Sequence, residues 1–552
     1  MNVYDRRPWS ARYPPHVSRT LRREHDSVLA MFTAAARSAP DAPAVHYFDA
    51  TSSWADIDRA SDAVAALLRA RGFAPGDRLA LCLQNDPAFV VGLVAAWKAG
   101  GIASLISPMS KKRELRSALQ DHAPAALLAL DDLYEDVIRE VLAAGDTDVR
   151  TVITCSPLDG RTRTDRRLFD GAARRRPADT LDLDALVAAY SGTPLPYRPP
   201  AAHDVAVLAP TSGTTGEPKA AMLTHGGLAF NAQTYRDWTG LRSGEPVLAM
   251  APVFHVTGLV GAVLLAFLLR SPLVLTHRFH PGVVRDAVRE RRPSFAVAPI
   301  TAYIALADEP GTTPEDLRSL RLRYSGGSPL LPEVADRLEA ALGGYIHNIY
   351  GQTESCSPTH MVPPGVRAPV HADTGTLSVG LPVSDTAVTV VDDDGRPLPI
   401  GEIGELITSG PQIAPGYWRR PEETATVFTG AGMRTGDVGF MDEHGWFYVV
   451  DRSTDLINAA GYKIWPHEVE QVLTTHAAVR EAAVVAIPDD YRGQSTRAYV
   501  ALRPGCTATE IDLIDYCRRR MAAYKYPREV EIVNALPRTA TGKVMRRALR
   551  RP

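Results

Sequence analysis

The chain has 552 residues, 45% of them hydrophobic and 22% charged, with a formal net charge of −2. That length exceeds one ordinary core, so two or more domains are expected, and the composition is globular rather than disordered or fibrous. The near-neutral balance gives no global attraction to nucleic acid or to an anionic membrane surface, so any basic function has to be local.

The N-terminal stretch MNVYDRRPWSARYPPHVSRTLRREHD is polar and arginine-rich, with no apolar run after its charges, and does not read as a secretory signal. Residues 54–72, WADIDRASDAVAALLRARG, space their apolar side chains as a helix does and close on Gly72; RLALCLQ at 78–84 then reads as a strand. AFVVGLVAAWKAGG (88–101) predicts a buried helix ended by paired glycines, ahead of a strand at ASLIS (103–107). This alternation predicts parallel strands joined by crossover helices. Residues 156–202 break the pattern with many Arg, Pro and Asp, including Arg174, Arg175 and Arg176; they read as a solvated loop, with docking of an anionic partner as the alternative. The longest apolar run, 256–269, is 14 residues long and contains Thr257, which suits a buried element better than a membrane span. Past residue 450 come the amphipathic WPHEVEQVL (465–473), strands at AAVVAI (482–487) and RAYVAL (497–502), and a helical IDLIDYCRRRM (511–521), together predicting a small α+β domain. The five cysteines (Cys82, Cys155, Cys356, Cys506, Cys517) lie far apart with no CxxC pair, which points to a reducing cytoplasm.

TSGTTGEPKA (211–220) follows the apolar run VAVLA (205–209) and is rich in glycine and hydroxyls. A P-loop requires Gly-x4-Gly-Lys-Ser/Thr opening a helix. Here Gly213 and Gly216 are three apart, Pro218 biases Glu217 toward an extended conformation, and AAMLTH (220–225) is strand-like. The segment therefore predicts a loop between two strands. Its glycines, hydroxyls and Lys219 suit phosphate, but a plain hairpin fits the spacing equally well.

Further stretches follow in order: SGGSPL (325–330), YGQTE (350–354), RTGDVG (434–439), DRSTDLINAAGYKIWPHEVE (451–470) and PRTATGKVMRRAL (537–549). With this set the chain resembles, over essentially its whole length, the adenylate-forming superfamily of acyl-CoA ligases, peptide-synthetase adenylation domains and luciferases, and most of all the acyl-CoA ligases of fatty-acyl type. The resemblance implies an α/β fold: a large N-terminal domain (1–450) of two α/β subdomains plus a β-barrel-like part, and a small mobile α+β C-terminal domain (451–552), hinged just after Asp451-Arg452. It implies that ATP converts a carboxylate into an acyl-adenylate, with Mg²⁺ as metal, and that the acyl group then passes to CoA. Thr211, Ser212, Gly213, Thr214, Thr215, Gly216 and Lys219 would wrap the β- and γ-phosphates. Glu354 would hold Mg²⁺, a hard cation that prefers oxygen. Thr353 would reach the α-phosphate; Gly326, Gly327, Ser328, Pro329, Tyr350 and Gly351 would form the adenine slot; Asp437 would accept from the ribose; and Arg452 would lie near the nucleotide. Lys543 would be the catalytic residue of adenylation, stabilising charge at the reacting phosphorus. Gly461, after the small domain has swung, would leave room for the pantetheine arm of CoA.

Phe254, His255, Val256 and Gly258 fall where the family lines its acyl pocket. His255 stands where amino-acid-activating relatives carry an aspartate, which disfavours an amino acid; glycines at Gly258 and Gly261 leave room for a bulky apolar acid. A packed, hydrogen-bonded role for His255 and a gate role stand equal. Pro210, Ala220, Thr454 and Ala460 depart from the family pattern, so a ligase specialised for one half-reaction stays open: one that takes a preformed acyl-adenylate, or an acyl-AMP ligase that loads a carrier protein. A silent nucleotide- or acyl-binding protein and a luciferase-like oxygenase are further alternatives. The sequence leaves the acid and the oligomeric state, including a homodimer, undetermined.

Overall fold

The computed structural model describes residues 2–190, 192, 195–211, 219–452, 455, 457–459, 462–489, 493–522, 524–539 and 543–550. Among these, the helix–strand alternation of the first half builds a seven-stranded sheet. Its order is Leu181–Asp182, Thr151–Cys155, Ala126–Leu130, Arg78–Cys82, Ile102–Leu105, Val205–Pro210, Ala220–Thr224. All pairings are parallel except the last. Strands such as ALLAL are buried along their whole length, as expected of parallel strands covered on both faces. The two helices expected here span Trp54–Ala70 and Pro87–Lys98. The first opens on a capping box between Ser53 and Asp56, and the second on the Asp86 side chain, which accepts from the Ala88 amide. The second is apolar all round because it is buried all round.

A second, nine-stranded sheet runs Leu381–Pro382, Ser357–Met361, Ile346–Gln352, Leu322–Ser325, Phe295–Ala298, Val247–Leu248, Leu273–Leu275, Pro43–Tyr47, Ala50–Ser53. Its inner strands are parallel. The long apolar run lies within this half as a buried helical segment: Val256–Gly258, a π-helical stretch Leu259–Leu264, then Leu265–Leu269. Among the described residues no helix is long and apolar enough to cross a membrane. An antiparallel five-stranded sheet (Ala387–Val391, Gly404–Ser409, Phe428–Thr429, Gly432–Met441, Phe447–Arg452) supplies the remaining β part of the large domain.

The segment 156–202 is more ordered than a solvated loop. It contains helices Arg166–Phe169 and Leu183–Tyr190, and its arginines are paired locally: Arg174 with Asp159 at 2.8 Å, Arg175 with Asp136 at 2.5 Å. Both of these arginines are thus paired with carboxylates of the same chain.

The C-terminal part is α+β. Strands Ile457–Ala459, Tyr462–Ile464, Val479–Asp489, Gly493–Leu502 and Glu529–Ile532 carry helices Pro466–Thr474 and Glu510–Arg518. A core of its own includes Val469, Leu473, Val484, Val500 and Leu513. Asp451 and Arg452 still belong to the large domain's ladder, opposite Val438 and Asp437. Arg546 reaches back to this junction: it lies 3.6 Å from Asp451, 3.3 Å from Asp455 and 2.9 Å from Glu470. Gln471 donates to the Gly375 carbonyl at 2.8 Å, a second tie between the small domain and the large one.

Candidate active site

The motif residues collect at the C-terminal ends of the strands Leu322–Ser325 and Ile346–Gln352, where parallel sheets open a crevice for ligands. The strand Leu322–Ser325 leads straight into Gly326, Gly327, Ser328 and Pro329. A Cβ on Gly326 would stand 2.8 Å from the Ile349 carbonyl oxygen, so a glycine lets this turn lie against the residue before Tyr350. Gly327 takes a φ of +81°. The Ser328 hydroxyl oxygen is shielded from solvent and has no hydrogen-bond partner among the described residues.

At Gly351 the antiparallel strand Ser357–Met361 comes so close that a Cβ would collide with the Ser357 carbonyl. The chain then turns through the 3₁₀ helix Thr353–Ser355, and Cys356 and Ser357 take φ values of 52° and 86°. Non-glycine residues in this region are strained and persist when the surroundings hold them. Asn231, fully buried on the helix His225–Thr239, does so: its Nδ2 donates to the carbonyls of Ser355 (2.9 Å), Cys356 (2.8 Å) and Pro358 (3.2 Å). The turn thereby presents Thr353 and Glu354.

Two polar groups face this turn. On one side, the Asp437 carboxylate accepts from the Tyr350 hydroxyl at 2.6 Å and from Gln352 Nε2 at 2.7 Å, both on Oδ2. Asp437 is buried, and Arg452 is its partner in the antiparallel ladder. On the other side, the Tyr417 hydroxyl donates to Glu354 Oε1 at 2.7 Å, and the Lys219 ammonium lies over the Tyr417 ring, 5.2 Å from its centroid.

Lys219 and Thr211 close the expected loop. The Thr211 amide donates to the Lys219 carbonyl at 2.7 Å, and the flanking strands pair antiparallel from Pro210↔Ala220 onward. The ends of the segment therefore form a strand-to-strand hairpin; Ser212, Gly213, Thr214, Thr215 and Gly216 lie outside the described residues, as do Thr454, Ala460 and Gly461. The chain around Tyr417 runs beside this hairpin: the Met222 amide donates to Gly416, and the Trp418 amide to Ala220. Ala220 is fully buried, and its methyl packs with Ile102 and Leu208.

Lys543 belongs to the small domain, where backbone bonds tie it to Thr539. The Thr539 amide donates to the Lys543 carbonyl at 2.7 Å and the Lys543 amide to Thr539 Oγ1 at 3.1 Å. Its charge is felt at His255: burial first, and the Lys543 ammonium second, push the His255 pKa down to about 4. The imidazole is thus neutral. Its Nδ1 accepts from the Thr257 amide at 3.3 Å, so it caps the helical run that follows and keeps its proton on Nε2. Phe254 and Val256 flank it as buried apolar residues. Gly258 does not leave open room: a Cβ there would stand 2.2 Å from the Pro252 carbonyl oxygen, so the glycine serves the close approach of the 251–252 backbone.

Sequence reasoning missed Tyr417, Gln352 and Asn231. Gln352 lies inside the YGQTE stretch, whereas Tyr417 and Asn231 are single polar residues in apolar or loop surroundings whose partners lie 63 and more than 120 residues away.

As to what this arrangement can hold, Glu354 sits among donors rather than other carboxylates. No group of three or more His, Cys, Asp or Glu among the described residues makes a protein metal cage. One carboxylate is what Mg²⁺ requires when substrate phosphates and water supply its other oxygens. The unpartnered Ser328 hydroxyl, the Asp437 carboxylate and the Lys219 ammonium provide the donor, acceptor and charge that a nucleotide triphosphate would use.

Comparison with known proteins places the chain among enzymes of one family. The family model described as AMP-binding enzyme matches residues 32–418, and that of the AMP-binding enzyme C-terminal domain matches residues 468–543. A long-chain-fatty-acid–CoA ligase of Bacillus subtilis (strain 168) is 32% identical, covering 99% of this chain and 98% of its own. A feruloyl-CoA synthase of Amycolatopsis sp is 36% identical over 94% of this chain and 97% of its own. A solved anthranilate CoA ligase in complex with anthranoyl-AMP superposes with a TM-score of 0.84 at 25% identity, covering 95% of this chain and 96% of that one.

Proposed function

We propose, from the premise that the chain belongs to the AMP-binding enzyme family, that it activates a hydrophobic carboxylic acid and hands it to CoA. Its relatives are acyl-CoA ligases, and the chain is an enzyme of that acid–thiol ligase class, using ATP, Mg²⁺ and CoA. What is proposed here is the nature of the acid and the roles of the residues. The observation that carries the reading is the convergence of Lys219, Tyr417 and Glu354 in one contact chain.

In this reading Lys219, with the backbone and hydroxyls of 211–216, holds the β- and γ-phosphates. Glu354 would hold Mg²⁺, which supplies charge neutralisation at the phosphate oxygens when bound. Ser328 and the 326–329 turn, with Tyr350 and Gly351, bound the adenine; Asp437 accepts from the ribose, and Arg452 stands beside it. A carboxylate oxygen of the acid attacks the α-phosphorus, the bond to the bridging oxygen breaks, and pyrophosphate leaves. Lys543 orients that carboxylate and offsets the developing charge, a contribution of roughly 10²–10³ in rate. The small domain then turns, Gly461 faces the site, and the CoA sulfur attacks the acyl carbonyl to release AMP.

The neutral His255, with apolar Phe254 and Val256 beside it, supports an uncharged acyl body: no side chain among these could pair a substrate ammonium. Five free cysteines accord with a reducing, cytoplasmic setting. The test is incubation with ATP, Mg²⁺, CoA and a panel of lipophilic acids. AMP and acyl-CoA should form in equal amounts; adenylate without thioester, relieved by an acyl carrier protein in place of CoA, would favour the carrier-loading alternative.

A further inference from the structure

We infer that Asn231 is a positioning residue for adenylation: from one face of the helix His225–Thr239 it fixes the turn that carries Glu354, and through that turn it sets how much Mg²⁺ tightens the binding of ATP. The inference rests on the ligase reading above.

Gly227, Asn231 and Tyr235 follow one another at intervals of four, which places them in one row along the helix. All three meet the segment 355–358. At Gly227 a Cβ would lie 3.3 Å from Cys356 Sγ, so the missing side chain lets the helix come down on the turn. One helical turn later, Asn231 Nδ2 stands 2.8–3.2 Å from the carbonyls of Ser355, Cys356 and Pro358. One turn later again, the Tyr235 hydroxyl meets Ser357 Oγ at 3.0 Å. The row therefore reaches each residue from Ser355 to Pro358 by a hydrogen bond.

This turn requires outside support. Cys356 and Ser357 both lie in the left-handed region, at φ values of 52° and 86°, where a side chain costs energy. Its internal bonds come from Ser355: the hydroxyl accepts from the Gln352 amide and faces the carbonyls of Gln352 and Ser357. Asn231 adds two amide protons shared among three further carbonyls. An alkyl group or a carboxylate at 231 would offer those carbonyls no donor. A turn relaxed toward ordinary φ values would carry Glu354, the residue before Ser355, away from the Tyr417 hydroxyl from which it accepts. With one protein carboxylate serving the ion, the direction of that carboxylate decides what Mg²⁺ adds to ATP binding.

The test measures the dissociation constant of ATP by titration calorimetry, in Mg²⁺ and in EDTA, with no acid present. The ratio of the two constants isolates the contribution of the ion. Asn231→Ala should shrink that ratio by roughly 10-fold, the lower end of what loss of a group supporting a metal ligand causes, and leave the affinity in EDTA near that of wild type. In ATP–pyrophosphate exchange it should raise the Mg²⁺ needed for half-maximal rate by roughly the same factor, with the KM for the acid unchanged. Tyr235→Phe, which keeps the ring and loses only the bond to Ser357, should move both readouts the same way by less. Leu228→Ala is the control: Leu228 is fully buried on the same helix but off this row, so its melting temperature should fall while the ratio stays. An unchanged ratio in Asn231→Ala, or an equal fall in Leu228→Ala, overturns the inference. Should Asn231→Ala fail to fold, Tyr235→Phe decides, and a wild-type ratio there overturns it. A wild type whose ATP binding ignores Mg²⁺ and that exchanges no pyrophosphate with any acid fails at the ligase reading itself; one that responds to Mg²⁺ equally with and without Asn231 refutes this inference alone.

Discussion

The Tyr417 hydroxyl stands 2.7 Å from Glu354 Oε1 while the Lys219 ammonium rests 5.2 Å from the centroid of the same ring. One aromatic residue thus orients both the carboxylate proposed for Mg²⁺ and the cation proposed for phosphate. Tyr417→Phe keeps the ring under Lys219 and deletes the bond to Glu354. A hydrogen bond to a charged group contributes about 1.5–3 kcal/mol, so the Mg²⁺ requirement of ATP–pyrophosphate exchange should rise about 10-fold or more. The KM for the acid should stay where it is. An unchanged Mg²⁺ profile would leave Tyr417 a packing residue only.

Arg546 is the cation on which three carboxylates converge at the domain junction. The side chains of Asp451, Asp455 and Glu470 are 3%, 14% and 11% exposed. Deleting the cation leaves Asp451 and Glu470 without it, while Asp455 keeps Arg550 at 2.6 Å; breaking a buried pair costs roughly 3–5 kcal/mol. Arg546→Met should therefore give a separate, earlier calorimetric transition for the small domain, with the large domain's melting temperature preserved. A single unshifted transition would count against this role.

The periodic elements were legible in the sequence, and the single-residue contacts were not. The helices Trp54–Ala70 and Pro87–Lys98 and the hairpin around Lys219 follow from apolar spacing, caps and proline chemistry, all of which act within a few residues. Tyr417 and Asn231 act through partners far along the chain, and only the folded sheets bring those together. At Gly258 and Gly261 the sequence reads as room for a bulky acid, but the space is taken by Pro252, Val297 and Tyr235. A sequence states that a Cβ is absent, not what stands in its place.

Among the described residues, seven histidines (His46, His122, His225, His255, His277, His347, His360) have pKa values held down at about 3 to 4, burial being the first cause in each. In the unfolded chain they would take protons near 6.5. The unfolded state therefore binds more protons as pH falls from about 6.5 toward 4, and stability must drop across that window. A fully buried imidazole such as His360 represents on the order of 5 kcal/mol when the titration is complete. Asp86 works the other way: burial lifts its carboxyl to about 7, so its contribution grows as pH falls below that value. Burial raises Asp62, Asp121, Asp132, Asp159 and Asp184 in the same sense; the seven histidines outnumber these six carboxyls, and melting temperature should decline between pH 6.5 and 4. A flat profile over that range would contradict the burial of these rings.

Ala220, where the family pattern carries glycine, packs its methyl with Ile102 and Leu208 while its carbonyl accepts from Trp418. It anchors the base of the hairpin. Ala220→Gly removes about one methyl of burial, near 0.8 kcal/mol, and adds about 0.5–1 kcal/mol of backbone freedom. A lower melting temperature with unchanged ATP–pyrophosphate exchange is expected. A several-fold gain in exchange would instead show that the methyl had restrained the loop.

Lys543 is proposed to serve adenylation and not thioester formation. Its amide donates to Thr539, and its charge, after burial, helps keep His255 neutral. Lys543→Ala should lower adenylation by roughly 10²–10³ while sparing thioester formation from a supplied acyl-adenylate. Gly461→Leu should do the reverse, because a side chain there would fill the path proposed for pantetheine. The His255 pKa provides an independent readout that does not depend on activity. Without the ammonium nearby it should rise from about 4, though burial keeps it below the ordinary value near 6.5. NMR titration of the imidazole in Lys543→Ala measures this directly. If that titration does not move while adenylation falls, the lysine acts on the reaction without standing beside His255, and the placement of the small domain over the site would have to be redrawn.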